Sequence, residues 1–217
     1  YSPKAMAGFG LDYESVREIN PSIIMMSSCL FGQTGPLAEF AGYGTMAAAM
    51  SGFFGITGWP DRAPSGPFGA YTDYISPRFG HAALLAALDH RRRTGHGQYI
   101  DFAQAEAALH AIAPLILDYT INGNVATPVG NDDPRHHPHG IYRCAGHDRW
   151  IAIACTNNEE RAALASITDG LDDDLISRWT RDQDPADVEA QLQSAGIPSH
   201  RVADSPSMVA DPQLIDR

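Results

Sequence analysis

Between Asp73 and Phe102 the chain spells out a helix followed at once by a buried strand, and that pair constrains the fold more than any other stretch. Ser76 is a helix-capping residue type, and Pro77 suits a first helical position. The alanine- and leucine-rich run from Ala82 to Leu88 continues the helix. Arg91-Arg92-Arg93 leads into Thr94-Gly95-His96-Gly97, glycines of the kind that end helices. Gln98 to Phe102 then reads as a short buried strand. Asp73 precedes the start signal, so the spacing places it on a tight loop just outside the helix N-terminus. The macrodipole there favours an ionised, ligand-facing carboxylate. On spacing alone, such an aspartate is a cap or a solvated turn residue.

The surrounding segments extend this pair into a layer. Ile23 to Ser28 is apolar and bounded by Pro21 and Gly32, which predicts a fully buried parallel strand. Tyr43 to Phe54 suits a helix closed by Gly52 and Gly55, and Thr57 to Gly69 is a glycine- and proline-rich loop. A second helix is expected from about Ala103 to Tyr119. Strand, helix, strand, helix in this order predicts an α/β layer with parallel strands.

Composition changes after Tyr119. Asn122-Gly123-Asn124 and Val129-Gly130-Asn131-Asp132-Asp133-Pro134 mark a linker. Gly140 to Cys144 and Trp150 to Cys155 flank a turn at Gly146-His147-Asp148 and predict a hairpin. Asn157-Asn158-Glu159-Glu160 looks like the cap of a helix from Arg161 to Ile167. The resulting division is residues 1–122 in a large α/β domain, 123–205 in a small α+β domain with its preceding linker, and 206–217 in the start of a return linker. So small a second unit is expected to lean on something else for stability.

The 217 residues carry a formal charge of −11, which argues against a nucleic-acid surface. The single basic run, Arg91-Arg92-Arg93, complements a helix C-terminus. No stretch approaches the roughly 18 apolar residues a membrane span needs. Cys29, Cys144 and Cys155 lack framework spacing, which predicts reduced thiols in a cytoplasmic protein, with Cys29 a small core residue. Tyr1-Ser2-Pro3 carries neither an initiator methionine nor a signal pattern and reads as the middle of a gene product. Arg135-His136-His137-Pro138-His139 gathers three imidazoles, but the spacing fits no ordinary zinc pattern, so no metal is expected and a solvated loop is one reading.

The stretch from Ala86 to Asp101 (AALDHRRRTGHGQYID), with Asp73 ahead of it, resembles the class III CoA-transferases, the family of formyl-CoA transferase and carnitine CoA-transferase. Further matches stand in the same order: Gly10-Leu11-Asp12-Tyr13, Ile19-Asn20-Pro21 leading into Ile23 to Ser27, Phe31-Gly32-Gln33-Thr34-Gly35-Pro36, Gly42-Tyr43 and Ser51-Gly52. Gly196-Ile197-Pro198 and Asp211-Pro212-Gln213-Leu214 resemble the family's later segment. The likeness is dense from about Gly10 to Glu106 and looser beyond. It begins and ends mid-pattern, so the front portion of the family pattern and the returning part of the large domain are expected to lie outside this chain.

The resemblance implies part of a Rossmann-like large domain plus a small domain, assembled as an interlocked homodimer. It implies an enzyme that moves CoA from an acyl-CoA to a carboxylic acid through an aspartyl mixed anhydride and an aspartyl-CoA thioester. CoA is then a substrate, and no cofactor is permanently bound. Asp73 falls on the nucleophile. Tyr1, Ser2, Gly8, Ala41, Gly42, Tyr43 and Gly44 fall on CoA contacts, and Gln104, Arg135, His136 and His137 fall on the side of the acid substrate. Formyl-CoA transferase has an arginine at Gly8, a lysine at Ala41 and a glycine lid at the histidine segment, so a larger acid than oxalate is implied here. The bland alternative for Tyr43 is a core-filling aromatic, and Asp12, Asp61 and Asp101 are expected to be structural. Two rival functions remain at this stage: a CoA-ester racemase or isomerase, whose Gly-His-Asp stretch is replaced here by Gly42-Tyr43-Gly44, and a non-catalytic binding or assembly module.

Overall fold

The structure, a computed structural model, describes residues 3–217. It divides into two compact units, Tyr1–Gly130 and Asn131–Arg217. In the first, helices α1 (Pro3–Gly8) and α2 (Tyr13–Ile19) precede strand β1 (Ile24–Cys29). Helices α3 (Gly44–Met50), α4 (Phe53–Ile56) and α5 (Tyr71–Thr94) carry the chain to strand β2 (Gln98–Ala103). Helix α6 (Gln104–Leu109), a 3-10 turn (His110–Ile112) and helix α7 (Ala113–Asn122) follow. The strands pair in parallel, from Ile24 opposite Gln98 to Cys29 opposite Ala103. A parallel pair cannot be closed by a tight turn, and α3 to α5 supply the crossover. The mixed α/β organisation with parallel strands expected of this region is what the structure has.

Its details differ in three places. The helix expected from Tyr43 to Phe54 is two helices, because Gly52 turns left-handed at φ 90° between them. The helix expected from Ala103 to Tyr119 is interrupted by the 3-10 turn, runs on to Asn122 and ends at Gly123, also left-handed at φ 76°. The third difference concerns α5. It starts at Tyr71 rather than after Ser76, so Asp73 sits inside its first turn and not on a loop outside it. Ser76 is buried and bonds elsewhere, and Pro77 lies within the helix, where it lacks the N–H that would bond the Asp73 carbonyl. Ser-Pro imitates a start signal, but tertiary hydrogen bonds carry the helix back past it.

Gly97 fixes how α5 delivers the chain to β2. A Cβ there would stand 1.7 Å from the Ile23 carbonyl oxygen, and the Gly97 N–H donates to Pro21 O at 3.1 Å. Only glycine permits this approach to the start of β1. Residues 123–130 stay with the first unit: the Gly130 N–H donates to Gly58 O at 2.8 Å beside the Trp59 ring.

In the second unit, strands β3 (His139–Arg143) and β4 (Trp150–Ala154) form the anticipated hairpin. Helices α8 (Asn158–Thr168), α9 (Asp173–Thr180) and α10 (Pro185–Ser194) lead to β5 (Ser199–Arg201), which pairs antiparallel with β4. Helices α11 (Ser205–Val209) and α12 (Pro212–Asp216) complete it. Asn157 caps α8 as expected, accepting from Glu160 N. Alternation along β4 buries Ile151 and Ile153 against Leu164, Ile176, Val188, Leu192 and Ile197 in one continuous cluster. This unit holds the larger continuous core. The first unit is the one with small clusters, around Leu30 and Phe53, and many exposed apolar side chains.

Candidate active site

Asp73 is placed by two close approaches. Its backbone N–H donates to Ala70 O at 2.9 Å, closing the first turn of α5, where the macrodipole favours an anion. Gly44, the first residue of α3, donates its N–H to Asp73 Oδ2 at 3.3 Å. A Cβ on Gly44 would stand 2.7 Å from Asp73 Cγ and 2.9 Å from Ala70 O, so the contact requires glycine. Gly42 is tight for a different reason, since a Cβ there would meet the Met46 sulfur at 2.7 Å and Leu30 at 3.1 Å.

Gly42 borders a cleft of about 370 Å³ that Asp73, Gln104, Ala41 and Tyr43 also line. The sequence-nominated residues from both sides of a thirty-residue gap thus meet in one place. Tyr43 is 79% exposed in this chain, its ring at the cleft and not packed in either of the first unit's clusters. Cys29 also lines the cleft and is only half-buried, its sulfur taking a hydrogen bond from Gln33 Nε2 at 3.3 Å. That corrects its reading as a core residue. Cys144 and Cys155 are buried in the second unit, and burial pushes both thiols up, away from the nucleophilic thiolate.

Behind the cleft stand two residues that the sequence did not mark as part of a site. Thr72 Oγ1 donates to Gly44 O at 3.0 Å and lies 3.4 Å from Gln104 Oε1. Ser76 Oγ donates to Gln104 O at 3.0 Å. Both hydroxyls are fully buried. Nothing local in the sequence marks these bonds, because the partners lie about thirty residues away.

The remaining nominated residues sit elsewhere. Tyr1 and Ser2 lie outside the described residues. Gly8 ends α1, and a Cβ there would meet open space. Arg135, His136 and His137 belong to the second unit and form a loop organised by Asp133, whose Oδ1 accepts from Arg135 N at 2.8 Å and lies 3.0 Å from His136 Nδ1. The Arg135 amide, with the neighbouring charges of His136 and Arg135, holds the Asp133 carboxyl below its usual range. Arg161 Nε donates to the His137 carbonyl at 2.8 Å, and His139 Nδ1 bonds Asn131 O. The three imidazoles do not converge, and no group of three ligating side chains is placed to hold a metal among the described residues. Asp12 caps α2, and Asp101 accepts the Gln33 N–H at 2.9 Å, so both are tied into backbone structure. No helix among the described residues is long and apolar enough to cross a membrane.

The family model described as CoA-transferase family III matches residues 1–172, the whole of the Asp73 cleft included. This chain belongs to that family. Among curated relatives it is 32% identical, over 96% of its length, to the succinate–glutarate CoA-transferase of Agrobacterium fabrum. It is 29% identical, over its full length, to the succinyl-CoA–D-citramalate CoA-transferase of Chloroflexus aurantiacus. A crystal structure of a CaiB/BaiF family protein from Brucella suis superposes with a TM-score of 0.91 at 29% identity, covering all of this chain and 62% of that one. The chain spans 57% and 59% of the two curated relatives, so it corresponds to a little over half of a family III CoA-transferase.

Proposed function

We propose that the protein to which this chain belongs moves CoA from an acyl-CoA to a carboxylic acid, with Asp73 as nucleophile. The observation that carries the reading is the convergence of Asp73, Tyr43 and Gln104 on one cleft, with the Gly44 N–H on the Asp73 carboxylate, in a chain of this family. A carboxylate oxygen of Asp73 attacks the donor thioester carbonyl. The C–S bond breaks, CoA leaves as thiolate, and a mixed anhydride remains. The thiolate then attacks the aspartyl carbonyl, releasing the donor acid and leaving an aspartyl-CoA thioester. The acceptor carboxylate and the CoA thiolate repeat these two steps in reverse, ending with a new acyl-CoA and free Asp73. Covalent storage divides one hard exchange into easier steps and consumes no proton or phosphate. CoA enters as substrate, with Ala41, Gly42, Tyr43 and Gly44 along its path and Gln104 toward the acyl group. Tyr1, Ser2 and Gly8 are retained as further CoA contacts, and a homodimer of Rossmann-like domains as the working assembly.

The acid substrates are proposed to be larger than oxalate and formate, with dicarboxylates first. Gly8 and Ala41 carry no charge, Arg135-His136-His137 is bulky for a lid, and two of the family III relatives act on succinyl, glutarate or citramalate groups. The test is a panel of donors and acceptors with the full-length protein. Transfer from succinyl-CoA to glutarate or citramalate should exceed formyl-CoA to oxalate transfer by at least about tenfold, a difference of roughly 1.4 kcal/mol in transition-state binding. Fast formyl-CoA to oxalate exchange with no turnover of larger acids would contradict this assignment.

A further inference from the structure

Thr72 neither lines the cleft nor reaches the carboxylate, yet it bonds the residue whose N–H donates to Asp73. It is the residue before Asp73 in the first turn of α5, and its side chain is 0% exposed. The hydroxyl has one proton, and the nearer acceptor is the Gly44 carbonyl at 3.0 Å. Gly44 is therefore held from both ends: its carbonyl by Thr72, its N–H on Asp73 Oδ2. The same oxygen lies 3.4 Å from the Gln104 side-chain amide, whose backbone carbonyl is held by Ser76. Three segments meet at this one hydroxyl: the start of α3, the first turn of α5 and the start of α6.

The helix ladder does not supply this constraint by itself. Pro77 removes the amide that would bond the Asp73 carbonyl, and Ala70 provides no side-chain cap to the turn. Thr45 adds a parallel strut, donating to Gly69 O at 3.2 Å, but that bond lies before the helix and leaves the Asp73 side free.

We propose that Thr72 is a positioning residue for the Asp73 carboxylate, acting through Gly44. The proposal rests on the reading of Asp73 as nucleophile. Without the hydroxyl, the Gly44 carbonyl loses a buried side-chain donor, and the start of α3, which carries the N–H on the carboxylate, loses a tie to the α5 turn. A nucleophile displaced by about an ångström loses on the order of a hundredfold in rate, because attack requires a near-attack geometry.

The test compares Thr72→Val, Thr72→Ser and Asp73→Asn in the full-length protein. Valine preserves the shape without the hydroxyl, and serine restores the hydroxyl without the methyl group. The readout is the single-turnover rate constant for enzyme–CoA adduct formation with succinyl-CoA, or the best donor of the panel above. A rate constant does not depend on how much of the preparation is folded. Thr72→Val is expected to lower it about thirtyfold to a hundredfold with KM for acyl-CoA within about threefold. Thr72→Ser should stay within about threefold of the parent. A Thr72→Val rate within about threefold of the parent, or a Thr72→Ser rate as low as that of valine, would overturn the proposal. Asp73→Asn separates the two levels: if it still forms the adduct, the nucleophile reading fails, whereas an inert Asp73→Asn beside an unimpaired Thr72→Val defeats the positioning role alone.

Discussion

Replacing Asp73 with asparagine in the full-length protein is expected to lower CoA transfer by about a thousandfold or more, the scale for loss of a covalent catalytic group. Asparagine is nearly isosteric and can still accept the Gly44 N–H through its side-chain carbonyl, so the first turn of α5 keeps its shape. What it lacks is an ionised oxygen able to form the anhydride. The loss should fall on kcat, with binding of acyl-CoA and thermal stability little changed. Residual activity within tenfold of the parent would assign the chemistry to another group, and the half-buried Cys29 thiol in the same cleft would be the next to examine.

The second large effect is expected from Gly44→Ala. The added methyl group would stand 2.7 Å from Asp73 Cγ and 2.9 Å from both Ala70 O and Asp73 N. Two of those three are backbone atoms of the α5 turn, so relief requires moving the turn, not a side-chain tip. Overpacking of this kind costs about 1–3 kcal/mol. The displacement also carries the carboxylate away from its donor, and transfer should fall about a hundredfold. A larger loss of activity than of stability is the signature, measured by steady-state transfer and thermal unfolding on the same preparation. Gly55→Ala serves as the comparison, because its Cβ would enter open space.

The fold was legible where local chemistry and long-range packing agree. The apolar run at Ile24–Cys29, the strand after Gly97 and the hairpin β3–β4 all follow from pattern and turn residues, and Asn157 caps α8 just where its Asn-Glu context suggests. The start of α5 was not legible in that way. Ser76-Pro77 carries the local start signal, but Thr72 and Ser76 bond Gly44 and Gln104, and those distant partners stabilise an earlier start. Helices α10 and α12 were within reach of sequence reasoning: Asp184-Pro185 and Asp211-Pro212 each place a capping carboxylate before a proline at the first helical position.

The candidate site divides along the same line. Asp73, Tyr43, Gly44 and Gln104 were nominated from sequence, and the fold gathers them around one cleft. Thr72 had no local mark, since a buried threonine in a helix resembles any other until its acceptors are known. The core of the second unit was not legible either. Leu164 of α8, Ile176 of α9, and Val188 and Leu192 of α10 share one cluster with Ile151 and Ile153 of β4, and this fills a core that unit length alone does not foretell.

The central claim is that Asp73 carries CoA covalently during turnover. The most direct measurement is mass spectrometry of the full-length protein after incubation with a CoA donor, with and without hydroxylamine. A CoA adduct should appear on the peptide containing Asp73, hydroxylamine should convert that residue to its hydroxamate, and both should be absent from Asp73→Asn. An adduct on another residue, or rapid transfer with neither adduct nor hydroxamate at Asp73, would contradict the account.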